Sequence, residues 1–247
     1  EKEGFLVTYL PVDQTGRISI KDLENALKED TILVTIMFGN NEVGTLQPIQ
    51  EIGTLLKDHP AYFHTDAVQA FGLVPINVQQ LGIDFLSMSG HKINGPKGIG
   101  FLYARTGATF QSLTFGGEQE RKRRAGTESV PNIVGLQTAI ELSVEEADSK
   151  RDLYGKFKKI MQNIWREEGI HFSINGNETH CLPHVMNVHF SGTNVESFLV
   201  NMDMAGLSVS SGSACTAGSI DPSHVLVAMF GKDSDKIASS IRFSFGL

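Results

Sequence analysis

Three short apolar runs in the first hundred residues each lead into residues able to do chemistry. Residues 31–38 (TILVTIMF) precede Asn40 and Asn41. Residues 61–65 precede Asp66, with Gln69 three positions on. Residues 84–89 precede Gly90, His91 and Lys92. In open α/β sheets, ligands lie beyond the carboxyl ends of the strands. Read as strands, these runs bring amides, a carboxylate and a lysine to one edge. A lysine amine can hold an aldehyde as a Schiff base. A buried carboxylate can keep a pyridine nitrogen protonated, so that the ring withdraws electrons. Gly90 and Gly95 flank the lysine and permit close backbone approach. Ser89 and His91 can donate hydrogen bonds to a phosphate. This donor set suits pyridoxal phosphate. On spacing alone a plainer reading stays open: a surface lysine, and an aspartate that only caps a helix.

The elements that must position these residues are partly visible. Residues 18–29 place Leu23, Ala26 and Leu27 at the spacing of an amphipathic helix, with Ser19 as its cap. The continuous β-branched run 31–38 is expected as a strand buried on both faces. Residues 49–56 read as a helix and 98–104 (GIGFLYA) as a fourth strand. Residues 4–10 (GFLVTYL) also read as a strand. Strands alternating with helices imply an α/β fold with a parallel or mixed sheet covered by helices. Residues 111–126 form a Gly- and charge-rich loop, and 130–168 are helical in pattern. Further strands at 171–174, 185–190 and 241–244 read as a smaller α+β lobe. The division is expected at residue 145, with 1–145 forming the larger domain and 146–247 the smaller.

Composition narrows the function. Of 247 residues 40% are hydrophobic, enough for a core, and 21 basic against 28 acidic residues give a net charge of −7. An acidic chain of this kind is not read as a nucleic-acid binder. No apolar run approaches the ~20 residues of a membrane helix, and no signal-peptide pattern opens the chain. The two cysteines, Cys181 and Cys215, make no disulfide framework, so a reducing cytoplasm is expected. The segment His180-Cys181-Leu182-Pro183-His184 lacks the paired cysteine spacing of a zinc site. It reads as a polar turn entering the 185–190 strand, and no metal is expected. Arg121-Lys122-Arg123-Arg124 reads as a solvated loop whose charge favours a nearby phosphate.

Five segments carry a more specific signal. They are Asn40-Asn41-Glu42-Val43-Gly44, His64-Thr65-Asp66-Ala67-Val68-Gln69, residues 87–98 (SMSGHKINGPKG), Arg124-Ala125-Gly126-Thr127, and Ser210-Ser211-Gly212-Ser213-Ala214-Cys215. In this order they resemble the cysteine desulfurases, pyridoxal phosphate enzymes of the class V aminotransferase group. The resemblance covers essentially the whole chain. It implies the fold type I of pyridoxal phosphate-dependent transferases, with a mixed, mostly parallel sheet flanked by helices and a smaller α+β C-terminal domain. It also implies roles. Lys92 would hold the cofactor aldehyde, Asp66 would pair with the pyridine nitrogen, and Gln69 would hydrogen-bond the phenolic oxygen. Ser89 and His91 would bind the phosphate. Thr127 would reach the phosphate of a neighbouring subunit in a homodimer. Asn41 and Arg242 would hold the carboxylate of L-cysteine, Arg because its planar fork meets a carboxylate bidentately.

Cys215 would be the sulfur-accepting nucleophile. Its small, polar neighbours suit a loop that must move, and a cysteine thiolate is strongly nucleophilic. The stretch 219–226 resembles the long-loop group, which hands sulfur to separate acceptor proteins such as an iron–sulfur scaffold or a tRNA-thiolation enzyme. The implied reaction converts L-cysteine to L-alanine and leaves a persulfide on Cys215. A selenocysteine lyase of the same group is the near alternative. Related enzymes carry an N-terminal segment with a phosphate-binding threonine turn and a histidine that stacks on the ring. The chain is therefore expected to be the C-terminal part of such an enzyme, and a folding or interaction unit without activity is the reading from another class.

Overall fold

The computed structural model describes residues 2–212 and 222–246. Its first element, α1 (Ile20–Ala26), starts where the sequence places a cap. Ser19 Oγ accepts from the Asp22 backbone N–H at 3.3 Å, and Leu23 turns into the core. The helix stops earlier than expected because Leu27 is already extended. Strand β1 (Leu33–Thr35) follows, then α2 (Ile49–Leu55), β2 (Tyr62–Asp66), β3 (Phe85–Ser89) and β4 (Gly100–Ala104). These strands form one sheet in the order β1-β2-β3-β4. The first three are parallel and β4 is antiparallel to β3. The main core gathers Val34 and Phe63 from this sheet, Ile49 and Ile52 from α2, and Leu136 from further along the chain.

Two strand expectations need correction. Run 31–38 is not a strand buried on both faces. Regular pairing covers only Leu33–Thr35, and of these only Val34 is buried. Among the described residues β1 pairs with β2 alone, so it stands at the edge of this sheet. Residues 4–10 form no strand. No neighbour offers them a ladder among the described residues, and Leu6 and Tyr9 are 92% and 79% exposed.

The loop at 111–126 contains one helical turn, α3 (Gln119–Lys122), in which Glu120 and Arg121 adopt left-handed backbone angles. The long helical stretch is two helices, α4 (Val130–Glu145) and α5 (Ala147–Glu167), meeting at Glu146. Strands β5 (Phe172–Asn175), β6 (Val185–Phe190) and β7 (Ser240–Ser244) make a second, antiparallel sheet in the order β5-β6-β7. Helices α6 (Val195–Met204) and α7 (His224–Phe230) lie between β6 and β7 in sequence. A separate core forms here, with Trp165 of α5 edge-on to Phe172 and Phe190. No described helix is long and apolar enough to cross a membrane.

Candidate active site

Parallel pairing of β2 and β3 sets Asp66 opposite Ser87, so both strands run out at the same edge. There Asp66 Oδ1 accepts from the Val68 backbone N–H at 2.9 Å, which turns the chain back towards Gln69. β3 ends at Ser89 and the chain enters a tight 3₁₀ turn, Gly90–Ile93, that carries His91 and Lys92. Asn94 closes the turn in the left-handed region (φ 62°), which asparagine tolerates. The two glycines around the lysine are tightly packed. A Cβ on Gly90 would lie 3.1 Å from Ile99 O, and one on Gly95 would lie 3.0 Å from Gly90 O and 3.1 Å from Ala139 Cβ of α4.

The chain beyond β1 stays alongside β2, with the Phe38 N–H donating to Asp66 O at 2.8 Å. Asn40 then spends its side chain locally: Oδ1 accepts from Glu42 and Val43 N–H at 2.8 and 3.0 Å. That turn presents Asn41 to the edge. From the second sheet, buried Arg242 of β7 donates from Nη1 to Asn41 O at 3.0 Å. His184, just before β6, lies 3.1 Å from Gln69 Oε1 through Nε2. Both contacts join the segments that follow β1 and β2 to the strands, or the approach to them, of the second sheet.

Between them opens a cleft of about 470 Å³, lined by Asn41, Asp66, Gln69, His91, Lys92 and Arg242. Its apolar walls include Met37, Phe71, Tyr154 and Phe245, the last two rings stacked at 6.3 Å. Ser89 stands one bond behind this lining: its Oγ is 2.8 Å from His91 Nδ1. Thr127 is exposed and does not line this cleft. Cys215 lies outside the described residues. On either side of that segment, Ser210 pairs with Arg242 through two backbone hydrogen bonds of 3.1 and 2.6 Å, and Ser223 Oγ donates to buried Glu42 Oε2 at 2.5 Å.

His184 is a cleft residue that the sequence reading leaves out, as part of a polar turn; Lys150 and Tyr154 of α5 are others. The only sequence signal for His184 is its place directly before a strand. Burial pushes its pKa down to about 4, with Lys158, Lys92 and Arg242 adding in the same direction. It is therefore a neutral imidazole at pH 7. His64, bridging Thr35 Oγ1 and Ser87 Oγ at 2.7 and 2.8 Å, is also pushed down by burial, against the pull of Asp66.

The cleft's donor set fits pyridoxal phosphate. Lys92 offers an amine for an aldehyde, Asp66 a carboxylate for a ring nitrogen, Gln69 an amide, and His91 with Ser89 hydrogen bonds for a phosphate. Arg242 and Asn41 remain for a substrate carboxylate.

The model of the family "Aminotransferase class-V" matches residues 1–247. "Putative cysteine desulfurase IscS 1" of Bacillus subtilis (strain 168) is 64% identical over all 247 residues, which cover 65% of that relative. The solved structure "NIFS-LIKE PROTEIN" superposes with a TM-score of 0.87 at 34% identity, over 99% of this chain and 64% of that one. "SspA in complex with cysteine" does so at 0.81 and 38%, over 99% and 67%. The chain thus spans about two thirds of the length of the proteins it matches, and its architecture is the type I fold of pyridoxal phosphate enzymes. A match of this extent, on a cleft with this donor set, means that the chain belongs to the class V aminotransferase family, whose cofactor is pyridoxal phosphate.

Proposed function

We propose that the chain is the cofactor- and substrate-binding part of a cysteine desulfurase. The reaction takes L-cysteine to L-alanine and leaves the sulfur on Cys215 as a persulfide. One observation carries this reading: Lys92, Asp66, Gln69 and Arg242 converge on one cleft. The names of the relatives agree with it, and one solved neighbour is described in complex with cysteine.

Bound pyridoxal phosphate supplies an electron-withdrawing ring that stabilises negative charge at the substrate α-carbon. The rest of the work falls to side chains. Lys92 anchors the cofactor and then moves protons at the substrate carbons, for which it must lie within hydrogen-bond reach. Asp66 holds the ring nitrogen protonated. Gln69 donates to the phenolic oxygen, and Ser89 and His91 hold the phosphate. Arg242 and Asn41 fix the substrate carboxylate. The Cys215 thiolate attacks the substrate sulfur. The carbon–sulfur bond breaks with its electron pair returning to carbon, which takes up a proton to become the methyl group of alanine. A second thiol then collects the sulfur by attack on the persulfide.

We further assign the division between domains to residue 145, a homodimer in which Thr127 serves the neighbouring copy's phosphate, and a cytoplasmic sulfur-acceptor protein as the downstream partner. The test is sulfide and alanine release from L-cysteine by the chain with added pyridoxal phosphate. Cys215→Ser is expected to keep the cofactor band and lose sulfide release. Turnover by that variant at the unsubstituted rate would remove Cys215 from the mechanism, and faster turnover of selenocysteine than of cysteine would move the reading to a lyase.

A further inference from the structure

His184 and Gln69 are 115 residues apart in sequence and meet across the cleft, Nε2 to Oε1, at 3.1 Å. An amide oxygen only accepts, so Nε2 must carry the proton. The other ring nitrogen, Nδ1, is buried and has no hydrogen-bond partner among the described residues. A proton there would be a buried donor with nothing to receive it, which costs more than an exposed one. The surroundings add to this, since among the described residues the charges of Lys158, Lys92 and Arg242 act on the ring and all three disfavour a second proton. Lys158 is itself held by donating to Leu182 O at 2.7 Å, two residues from the histidine. The Phe245 N–H donates to His184 O at 2.9 Å and fixes the backbone. One neutral tautomer satisfies all of these contacts.

We propose that His184 is a positioning residue that sets the orientation of the Gln69 amide, so that Gln69 presents its NH₂ group, and not its carbonyl oxygen, to the cleft. With Oε1 engaged by the imidazole, the donor end is what remains for a ligand. The position then selects an acceptor oxygen, such as a phenolate, and rejects a group that can only donate. This rests on the proposed role of Gln69 towards the cofactor. Its other part, the tautomer, concerns the chain alone.

Two measurements on the 247-residue chain test it. Long-range ¹⁵N–¹H spectra of the imidazole-labelled chain without cofactor report the tautomer. The expected result at pH 7 is a neutral His184 protonated on Nε2, and a proton on Nδ1 or on both nitrogens overturns the proposal. The second measurement is the absorption maximum of bound pyridoxal phosphate in Gln69→Leu, His184→Leu and the double variant. Both single variants should shift the band in the same direction, the double variant should shift it no further than Gln69→Leu, and His184→Gln, which keeps a donor, should restore it. A shift in Gln69→Leu without one in His184→Leu, or additive shifts in the double variant, overturns the positioning role and leaves the cofactor reading standing. An unshifted Gln69→Leu removes Gln69 from the cofactor and with it the acceptor-selecting consequence. The tautomer spectrum still decides what His184 does to the amide.

Discussion

Lys92 and Asp66 reach one cleft from neighbouring strands, and each is useful only beside the other. An amine without the carboxylate would bind an aldehyde but not activate it. Lys92 is exposed at the cleft, so Lys92→Ala should leave the fold intact. It should abolish the adduct fixed by borohydride after incubation with pyridoxal phosphate, and lower turnover by about 10²–10⁴, the usual size of a lost general base. An adduct surviving on another lysine in the mass spectrum would refute the assignment. For Arg242→Lys the expected change is in KM. A charge-assisted hydrogen bond contributes roughly 1.5–3 kcal/mol, so losing one arm of the fork should raise KM for cysteine by about ten- to a hundredfold. An unchanged KM would place the carboxylate elsewhere. His184 makes a prediction about stability. Its pKa falls from 6.5 to about 4 on folding, so below pH 6.5 the unfolded chain binds the extra proton. Its share of stability is complete above pH 6.5 and lost as pH falls towards 4, by roughly 3 kcal/mol. Urea midpoints across that window should fall less steeply in His184→Leu.

At the scale of elements, Gly53 decides between two opposed rules. It is a buried residue inside α2, and in an exposed helix interior Gly→Ala normally stabilises by about 1 kcal/mol. Here a Cβ would lie 1.9 Å from Leu81 O, in the turn that leads into β3. Overpacking against backbone costs about 1–3 kcal/mol, so Gly53→Ala should lower the urea midpoint. A raised midpoint would show that the turn yields freely. The same contrast explains what is legible in the sequence. Five cleft residues, Asn41, Asp66, Gln69, His91 and Lys92, can be found because each follows a recognisable strand, and strand ends carry ligands in this architecture; Arg242 is found only through the family resemblance. His184 cannot, because its role depends on Gln69 across the cleft, a pairing no local pattern encodes. Residues 31–38 and 4–10 mislead for a related reason. Composition reports that a segment can be a strand, while pairing decides whether it has a neighbour. The break at Glu146 is equally silent, since its neighbours on both sides are good helix formers.

The whole molecule adds a surface that the cleft does not use. Leu113 and Phe115 are 95% and 86% exposed, in the segment leading to Thr127. Exposed apolar side chains mark association surfaces where they form a contiguous patch. If a second copy covers them and its Thr127 completes the phosphate site, cofactor binding and dimerisation are one linked equilibrium. Ligand that prefers the dimer must then draw monomer into dimer. The apparent Kd for pyridoxal phosphate should fall as the chain concentration is raised through its own dimerisation constant, and the sedimentation coefficient should rise with added cofactor. Thr127→Val should weaken cofactor binding in the dimer and flatten that concentration dependence. Leu113→Asp should hold the chain as a monomer with the weak affinity at every concentration. A Kd independent of chain concentration across the monomer–dimer transition would mean that each copy binds the phosphate with its own Ser89 and His91 alone.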